Sequence, residues 1–264
     1  MATCTKRCVN NTKQGLKLAL IIASTLTVSA CAQFKHEPIV EGNLVINDPL
    51  EEYNRDIFAF NQAVDKVVIN PVIKGYRAVA PKPARTGIRN VLRNLRSPVN
   101  FINEVLQGDF DGAGKVFVRT AINSTLGIGG LFDLAGHEGI EYESEDFGQT
   151  LAVWGVGHGA YVVVPFIGPS STRDYLGYFT DSMMDPLRWY LFNIDEQPLY
   201  YSKLGADYLD IRDSLYDVLQ ELDASSIDYY ASVRSTYYQQ RQAQVLDQTS
   251  QFSAPSIPDY DDDL

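Results

Sequence analysis

Two series of apolar residues that recur at spacings of three and four constrain the fold of this chain more than any other feature. The series are Leu50, Tyr53, Ile57, Phe60, Val64 and Val67, and then Leu204, Tyr208, Ile211, Leu215, Val218 and Leu222. Residues at these spacings lie on one face of an α-helix. Similar spacings predict helices over residues 84–95, 98–107, 111–125 and 227–247. We therefore expect a mostly α protein built from amphipathic helices of medium length.

Residues that cap or break helices predict where the first helices begin and end. The segment Asp48-Pro49-Leu50-Glu51 has the pattern of a capping box, with Asp48 as the N-cap. Proline has no N–H and obstructs the preceding turn. Pro71 is therefore expected to end the first helix, and Pro98 to start a new helix after the one over 84–95.

The uncharged stretch 151–168 interrupts the helical pattern. It is rich in glycine and contains Pro165, and its 18 residues lie at the lower limit of what a membrane-spanning helix needs. Gly155, Gly157 and Gly159 make a stable helix unlikely to form there. We predict an extended or hairpin segment that is buried within the protein.

The N-terminus has the features of an export signal with a lipid attachment site. Residues 1–30 contain four bases and no acid, and an apolar run from Leu18 to Val28 is too short to span a bilayer. Small residues at positions 29 and 30 precede Cys31, which resembles a bacterial lipobox. Cys31 is therefore predicted to be the lipid-attached first residue of the mature chain. Ala32, which follows it, indicates the outer membrane.

Charge is distributed unevenly along a chain whose formal net charge is −11. No acid occurs from Lys66 to Asn103, and this stretch carries eight bases. Arg85, Arg89 and Arg93 recur at helical spacing and are candidate contacts for anionic lipid head groups. The alternative is that this basic stripe pairs with acids elsewhere in the same fold. The acidic total argues against a nucleic-acid-binding protein.

The chain is predicted to fold as one domain between a tether and a tail. Residues 1–30 form the signal peptide, 31–47 a lipidated tether, 48–247 the helical domain and 248–264 an acidic disordered tail. The sequence has no motif of a metalloprotease, a serine hydrolase or a phosphate-binding loop. No metal site or cofactor is predicted. His137 and His158 are the only histidines in the predicted domain, and they leave a lipid-active hydrolase as an alternative.

Several separate motifs resemble the VacJ/MlaA lipoproteins. The segment 47–55 with Phe60-Asn61 resembles their N-terminal region, and 123–130, 145–151 and 165–168 continue the match in order. The resemblance covers about residues 31–241. The chain departs from the family pattern at Gly159-Ala160-Tyr161, where Gly-Pro-Tyr is usual. It departs again at Asp228-Tyr229-Tyr230, where Asp-Pro-Tyr is frequent.

The resemblance implies a ring-like helical domain in the periplasmic leaflet of the outer membrane. Mislocalised outer-leaflet phospholipids would descend through an amphipathic channel, reach a soluble periplasmic carrier and so preserve lipid asymmetry. Trimeric porins are the implied partners, and no enzymatic activity is implied. Phe60, Asn61, Gly155, Gly157 and Gly159 are the candidate lipid path, with Asn61 placed between hydrocarbon and a wet channel. A structural lipoprotein that only scaffolds porins is a further alternative.

Overall fold

The computed structural model describes residues 39–41 and 44–246, with side chains from residue 46 onwards. This part of the chain is mostly helical, as predicted. Its elements are β1 (Ile39–Glu41), β2 (Leu44–Ile46), α1 (Glu51–Val64), a π-helical segment (Asp65–Ile69), α2 (Asn70–Val79), α3 (Lys82–Gln107), α4 (Phe110–Thr125), α5 (Leu134–His137), α6 (Phe147–Val153), β3 (Tyr161–Val164), β4 (Gly168–Ser171), α7 (Thr172–Met184), α8 (Pro186–Asn193), α9 (Gln197–Ser225) and α10 (Tyr229–Val245).

The strands form two small antiparallel hairpins. In the first, Ile39 lies opposite Ile46, and in the second, Tyr161 lies opposite Ser171. The second hairpin confirms the extended segment predicted within 151–168. The expected burial of that whole segment is wrong, because residues 153–157 are exposed. Residues 154–157 form a loop after α6, and loop backbone without a regular hydrogen-bonding partner is generally solvated.

An aromatic cluster around β3 forms the apolar core. Tyr161 and Val163 of β3 are buried with Ile46 of β2 and with Tyr230 and Tyr238 of α10. The ring centroids of Tyr161 and Tyr238 are 5.9 Å apart, within the range of favourable aromatic contacts. The core therefore joins the beginning of the described chain to its last helix.

The expectation that Pro71 ends the first helix is wrong. Helical backbone continues without a break from α1 through the π-helical segment into α2. The N–H of Asn70 donates to the carbonyl of Asp65, five residues earlier. Proline normally collides with the carbonyl four residues before it, and the wider π turn shifts that carbonyl away. The π-helical segment therefore allows Pro71 to lie inside a long helix.

The expectation that Pro98 starts a new helix is also wrong. The predicted helices over 84–95 and 98–107 are one helix, α3, with Pro98 inside it. The hydroxyl of Ser97 donates to the carbonyl of Arg93 at 3.2 Å. Val99 and Asn100 are buried beyond the proline, where α3 packs along α4. Tertiary packing of this kind outweighs the local preference to end a helix.

The start of the folded region differs from the prediction in two ways. Residues 39–41 and 44–46 lie in the segment expected to be a tether, but they form the first hairpin, and Ile46 is fully buried. Asp48 does not cap α1, whose N-cap is Leu50 without a side-chain hydrogen bond. Asp48 is instead buried and accepts hydrogen bonds from Asn54, Tyr230 and Arg234. The fold uses this carboxylate to hold α10 against α1. The signal peptide, Cys31 and the acidic tail lie outside the described residues.

Candidate functional site

Polar side chains occupy much of the interior. Among residues 46–246, twenty buried residues are polar or charged and fourteen are apolar. In most soluble proteins the apolar residues dominate the buried set. Burial of a polar group is tolerated when it is hydrogen-bonded. Helices of this domain therefore turn part of their polar surface inward.

Large apolar side chains are correspondingly exposed. Within residues 46–246, thirty-eight large hydrophobic residues are exposed. They include members of both helical series: Leu50, Tyr53, Phe60, Val67, Tyr208, Ile211, Leu215 and Val218. No helix in this part of the chain is long and apolar enough to cross a bilayer. Extensive exposed apolar surface marks a membrane or protein interface.

Two asparagines of α1 fasten the second hairpin. The side-chain amide of Asn54 donates to the carbonyl of Tyr161 at 3.0 Å, and its oxygen accepts from the N–H of Val163 at 2.9 Å. Asn61 repeats this arrangement seven residues later, donating to Val164 at 3.0 Å and accepting from Phe166 at 2.8 Å. Residues seven apart lie on one helix face. The two amides therefore satisfy the edge of β3 in place of a third strand.

This geometry changes the interpretation of Phe60 and Asn61. Asn61 is buried and its amide is bonded on both sides to the hairpin backbone, so it does not present a free polar group to a channel. Phe60 is exposed, and its ring meets the ring of Phe166 edge-on at 5.4 Å. Phe166 has a φ of +65°, an uncommon value for a bulky residue. The two residues thus position the apolar tip of the hairpin.

The candidate glycines lie at the other end of this hairpin. Gly155, Gly157 and Gly159 are exposed in the loop before β3, whereas Phe60 and Asn61 meet the turn after it. A four-residue strand spans about 13 Å. Gly159 has a φ of +70°, and a Cβ there would lie 2.1 Å from the hydroxyl of Thr172. The structure therefore separates the predicted path residues into two groups.

Most of the basic stripe on α3 pairs with acids of α9. Arg85 donates to both oxygens of Asp213 at 2.7 and 2.8 Å, and Arg89 donates to Asp210 at 3.0 Å. Burial raises the pKa of Asp213, but hydrogen bonds from Arg77 and Arg85 outweigh this effect and hold the pKa below its usual value. For Arg85 and Arg89 the geometry supports the alternative of pairing within the fold.

Arg93 differs from the other two arginines. Its guanidinium carbon lies 4.6 Å from the ring centroid of Tyr142, and it forms no ion pair within the described residues. It lines a shallow recess of about 250 Å³, measured out to open solvent. The other lining residues are polar as well: Asn90, Asn94, Ser97, Arg119, Asn123, Asp133 and Tyr142. Arg93 is therefore the member of the stripe whose guanidinium is not paired with a carboxylate within the described residues.

Neither histidine is part of a catalytic arrangement in the described residues. The ring of His158 packs against Tyr238 with the centroids 5.1 Å apart, and its Nδ1 has no hydrogen-bond partner. Burial lowers the pKa of His158 and so favours the neutral imidazole. No cluster of three possible metal ligands occurs among residues 39–41 and 44–246. Among the described residues, no hydrogen bond joins the imidazole of His137 or His158 to a serine, threonine or cysteine side chain, as a histidine-dependent hydrolase would require.

Sequence reasoning missed the acids that hold the arginines. Asp213 contacts Arg77 and Arg85, and Asp174 accepts from Arg173 and Arg241 at 2.9 Å. Although burial raises the pKa of Asp174, the hydrogen bond from Arg241 outweighs it and the pKa is strongly lowered. These acids lie more than 65 residues from their most distant partners, so local spacing gave no signal. A surplus of acid outside 66–103 was the single indication.

Comparison with known families decides the assignment. The family model of the MlaA lipoprotein matches residues 46–244, most of the described part of the chain. The chain belongs to the MlaA lipoprotein family. The family resemblance seen in the motifs is thereby confirmed.

Related proteins match this chain over most of its length and most of theirs. A protein of Escherichia coli (strain K12) named "Intermembrane phospholipid transport system lipoprotein MlaA" is 33% identical over 228 residues, covering 85% of this chain and 86% of the relative. The protein of that name from Haemophilus influenzae is 30% identical and covers 90% and 94%. An uncharacterized protein of Rickettsia bellii is 35% identical and covers 78% and 80%.

A solved structure supports the fold of this MlaA family member. It was reported as "Structural basis for maintenance of bacterial outer membrane lipid asymmetry" and is 34% identical to this chain. The TM-score is 0.65, with 75% of this chain and 99% of that chain covered. The mostly α single-domain prediction is therefore confirmed, while the ring-like arrangement stays a prediction.

Proposed function

We propose that this protein removes mislocalised phospholipids from the outer leaflet of the outer membrane and so maintains lipid asymmetry. The observation that carries the proposal is the family match over residues 46–244. Relatives that share most of the chain are named for intermembrane phospholipid transport. The inverted burial pattern supports it independently, because outward apolar faces suit acyl chains and inward polar groups suit head groups.

The helices act together within a leaflet in this proposal. Although α3 and α9 have 26 and 29 residues, no helix in the described part of the chain is long and apolar enough to cross a hydrocarbon core of about 30 Å. Several such helices can place apolar faces against one leaflet without any helix spanning it. Phospholipid then moves along a boundary between exposed apolar residues and the polar interior. Phe60 and the hairpin tip at Phe166 are the proposed apolar side of that boundary.

The anchoring and partners are proposed on the sequence and the family. Cys31 carries the acyl chains that hold the protein on the periplasmic side of the outer membrane, since the lipobox places it first in the mature chain. A trimeric porin is the proposed neighbour in the membrane, and a soluble periplasmic carrier is the proposed acceptor of phospholipid. The competing hypothesis is that the protein contacts porins only as a structural scaffold and transports no lipid.

The proposed activity is transport without chemistry on the lipid. The packing of the His158 ring against Tyr238 supports this, because its Nδ1 has no hydrogen-bond partner within the described residues. His137→Ala and His158→Ala variants that retain abundance should retain activity. Lysophospholipid or free fatty acid released by the wild type but not by these variants would establish the hydrolase instead.

Lipid identification tests the proposed function directly. The mature protein is extracted from membranes in a phosphate-free detergent, and bound lipids are identified by mass spectrometry. An unrelated outer-membrane lipoprotein extracted in the same way is the control. We expect intact phospholipid at a level well above the control. Equal phospholipid content in the two preparations would contradict the proposal and favour a scaffold.

A further inference from the structure

Arg93 is a desolvated cation that forms no ion pair with a carboxylate among the described residues. Its guanidinium stacks on Tyr142 at 4.6 Å, while Arg85 and Arg89 on the same helix are bonded to acids of α9. Burial lowers the pKa of Arg93, so its charge is held at an electrostatic cost. An unpaired charge that is partly buried is costly, so a bound anion would stabilise Arg93.

The recess around Arg93 has a net positive charge. Arg119 also approaches the Tyr142 ring, with its guanidinium carbon 5.7 Å from the centroid. Its charge is balanced by Asp133, whose two oxygens it meets at 2.9 Å. The positive charge of Arg93 is left over. A guanidinium presents donors in a planar fork that matches the oxygens of a phosphate group.

The amides that line the recess are already used to build its walls. Asn94 donates to the hydroxyl of Ser124 at 2.9 Å, and Asn90 donates to the carbonyl of Leu131 at 3.3 Å. Asn123 donates to Asp133 at 2.9 Å and accepts from the N–H of Ala135 at 3.0 Å. The walls are therefore fixed, and Arg93 supplies the guanidinium that is not paired with a carboxylate within the described residues.

Exposed apolar residues rim this polar recess. Leu126, Ile128 and Phe132 are more than half exposed, and they belong to the loop that Asn90 and Asn94 hold. Backbone hydrogen bonds lock the loop, from Gly130 to Asn123 at 2.8 Å and between Phe132 and Gly127 at 3.0 Å. Ile128 has a φ of +54°, which is strained for a β-branched residue and turns it outward at a cost in energy.

We propose that the recess formed by α3, α4 and Tyr142 binds the phosphate group of a phospholipid, with Arg93 as the phosphate contact and the loop 126–132 against the acyl chains. This inference rests on the proposed function and names a head-group site for it. A polar recess with one spare cation fits a phosphodiester, and the adjoining apolar rim favours a lipid over free phosphate. The site does not require a net anionic lipid, since the phosphate is common to all phospholipids.

Titration calorimetry of the full mature protein tests the site with three defined probes. The probes are dihexanoylphosphatidylethanolamine, dihexanoylglycerol and inorganic phosphate, each corrected by a titration into detergent alone. Hydrogen bonds to a charged group are strong enough that Arg93→Gln should weaken phospholipid binding about tenfold or more. Arg93→Lys keeps the charge without the fork and should give an intermediate affinity. Dihexanoylglycerol and phosphate should each bind at least tenfold more weakly than the phospholipid.

Arg188 provides a matched control. It also stacks on an aromatic ring, at 5.2 Å from the centroid of Phe192, and forms no ion pair within the described residues. It lies on α8 and does not line the recess. Arg188→Gln should leave the affinity unchanged. Arg93→Met, which keeps an unbranched apolar stem without the guanidinium, provides a second uncharged variant. Arg93→Gln and Arg93→Met should both melt no lower than wild type, because each removes a desolvated charge.

The outcomes separate this site from the proposed function. Unchanged phospholipid affinity in folded Arg93→Gln or Arg93→Met overturns the recess, while phospholipid found in the membrane extract would still support transport. Phosphate binding as tight as phospholipid binding overturns the lipid assignment. Equal losses in the Arg93 and Arg188 variants show a nonspecific charge effect and also overturn the site.

Discussion

The asparagine pair on α1 gives a graded prediction for stability. Asn54 is fully buried and makes three buried hydrogen bonds, to Asp48, Tyr161 and Val163. Asn61 makes two hydrogen bonds to the partly exposed hairpin turn. Each buried group left unpaired costs about 1–3 kcal/mol. Asn54→Ala should therefore lower the free energy of unfolding by about 3–5 kcal/mol, and Asn61→Ala by about 1–2 kcal/mol, because water can reach the turn.

Asp56 serves as the control for helix propensity. It lies on the same helix, is exposed and makes no hydrogen bond within the described residues. Asp56→Ala should change the free energy of unfolding by less than about 0.5 kcal/mol. Fluorescence of Trp154 and Trp189 during thermal unfolding in detergent reports the midpoint, which falls by about 2–4 °C per kcal/mol in a domain of this size.

The order of the three variants is the decisive result. We expect Asn54→Ala to melt about 6–20 °C below wild type, Asn61→Ala a few degrees below, and Asp56→Ala at the wild-type temperature. If Asn54→Ala and Asp56→Ala melt at the same temperature, the amides do not hold the hairpin and the proposed role of α1 is wrong. If Asn61→Ala lowers the melting temperature more than Asn54→Ala does, burial does not determine how much stability is lost.

Three further changes test other parts of the structure. Asp213→Asn should destabilise the protein by about 3 kcal/mol in thermal unfolding, because it breaks buried ion pairs with two arginines. Its control is Asp217→Asn at an exposed position, which should cost less than about 1 kcal/mol. Burial raises the pKa of Asp181 to about 6, so the folded state binds more protons than the unfolded state between about pH 4 and 6, and stability falls as the pH rises through that window. Asp181→Asn should therefore stabilise the protein by about 1–3 kcal/mol at pH 7.5, seen as a higher melting temperature, and should change stability little at pH 4. A larger stabilisation at pH 4 than at pH 7.5 would contradict the pKa shift. Cys31→Ala should remove the protein from the outer-membrane fraction in cell fractionation, and an unchanged distribution would disprove the lipid anchor.

The existence of the long helices was predictable from residue spacing, but the direction of their faces was not. The series on α1 and α9 follow the helical period, and both helices are present. Periodicity identifies an apolar face without saying whether protein or lipid covers it. Ile211 and Val218 are exposed, which the spacing alone does not distinguish from burial. The polar interior and the exposed apolar faces became apparent only in the three-dimensional structure.

The errors have a common physical cause, since local preference was overridden by distant contacts. Pro71 and Pro98 were expected to break helices, yet a π turn accommodates one and packing along α4 retains the other. Asp48 matched a cap, yet Arg234 lies 186 residues away and binds it. The pairing of Arg85 with Asp213 likewise depends on a contact across 128 residues. From the sequence, pairing of the arginines with acids of the same fold could be stated as an alternative, but the partner acids could not be identified.

Surface-exposed phospholipid in cells tests the central claim most directly. Cells that lack this protein, cells that carry the wild type and cells that carry Cys31→Ala are treated with an externally added phospholipase, and released products are quantified. We expect a high signal without the protein, a low signal with the wild type and a high signal with the variant. If removal of the protein leaves the signal at the wild-type level, it does not maintain lipid asymmetry in the outer membrane.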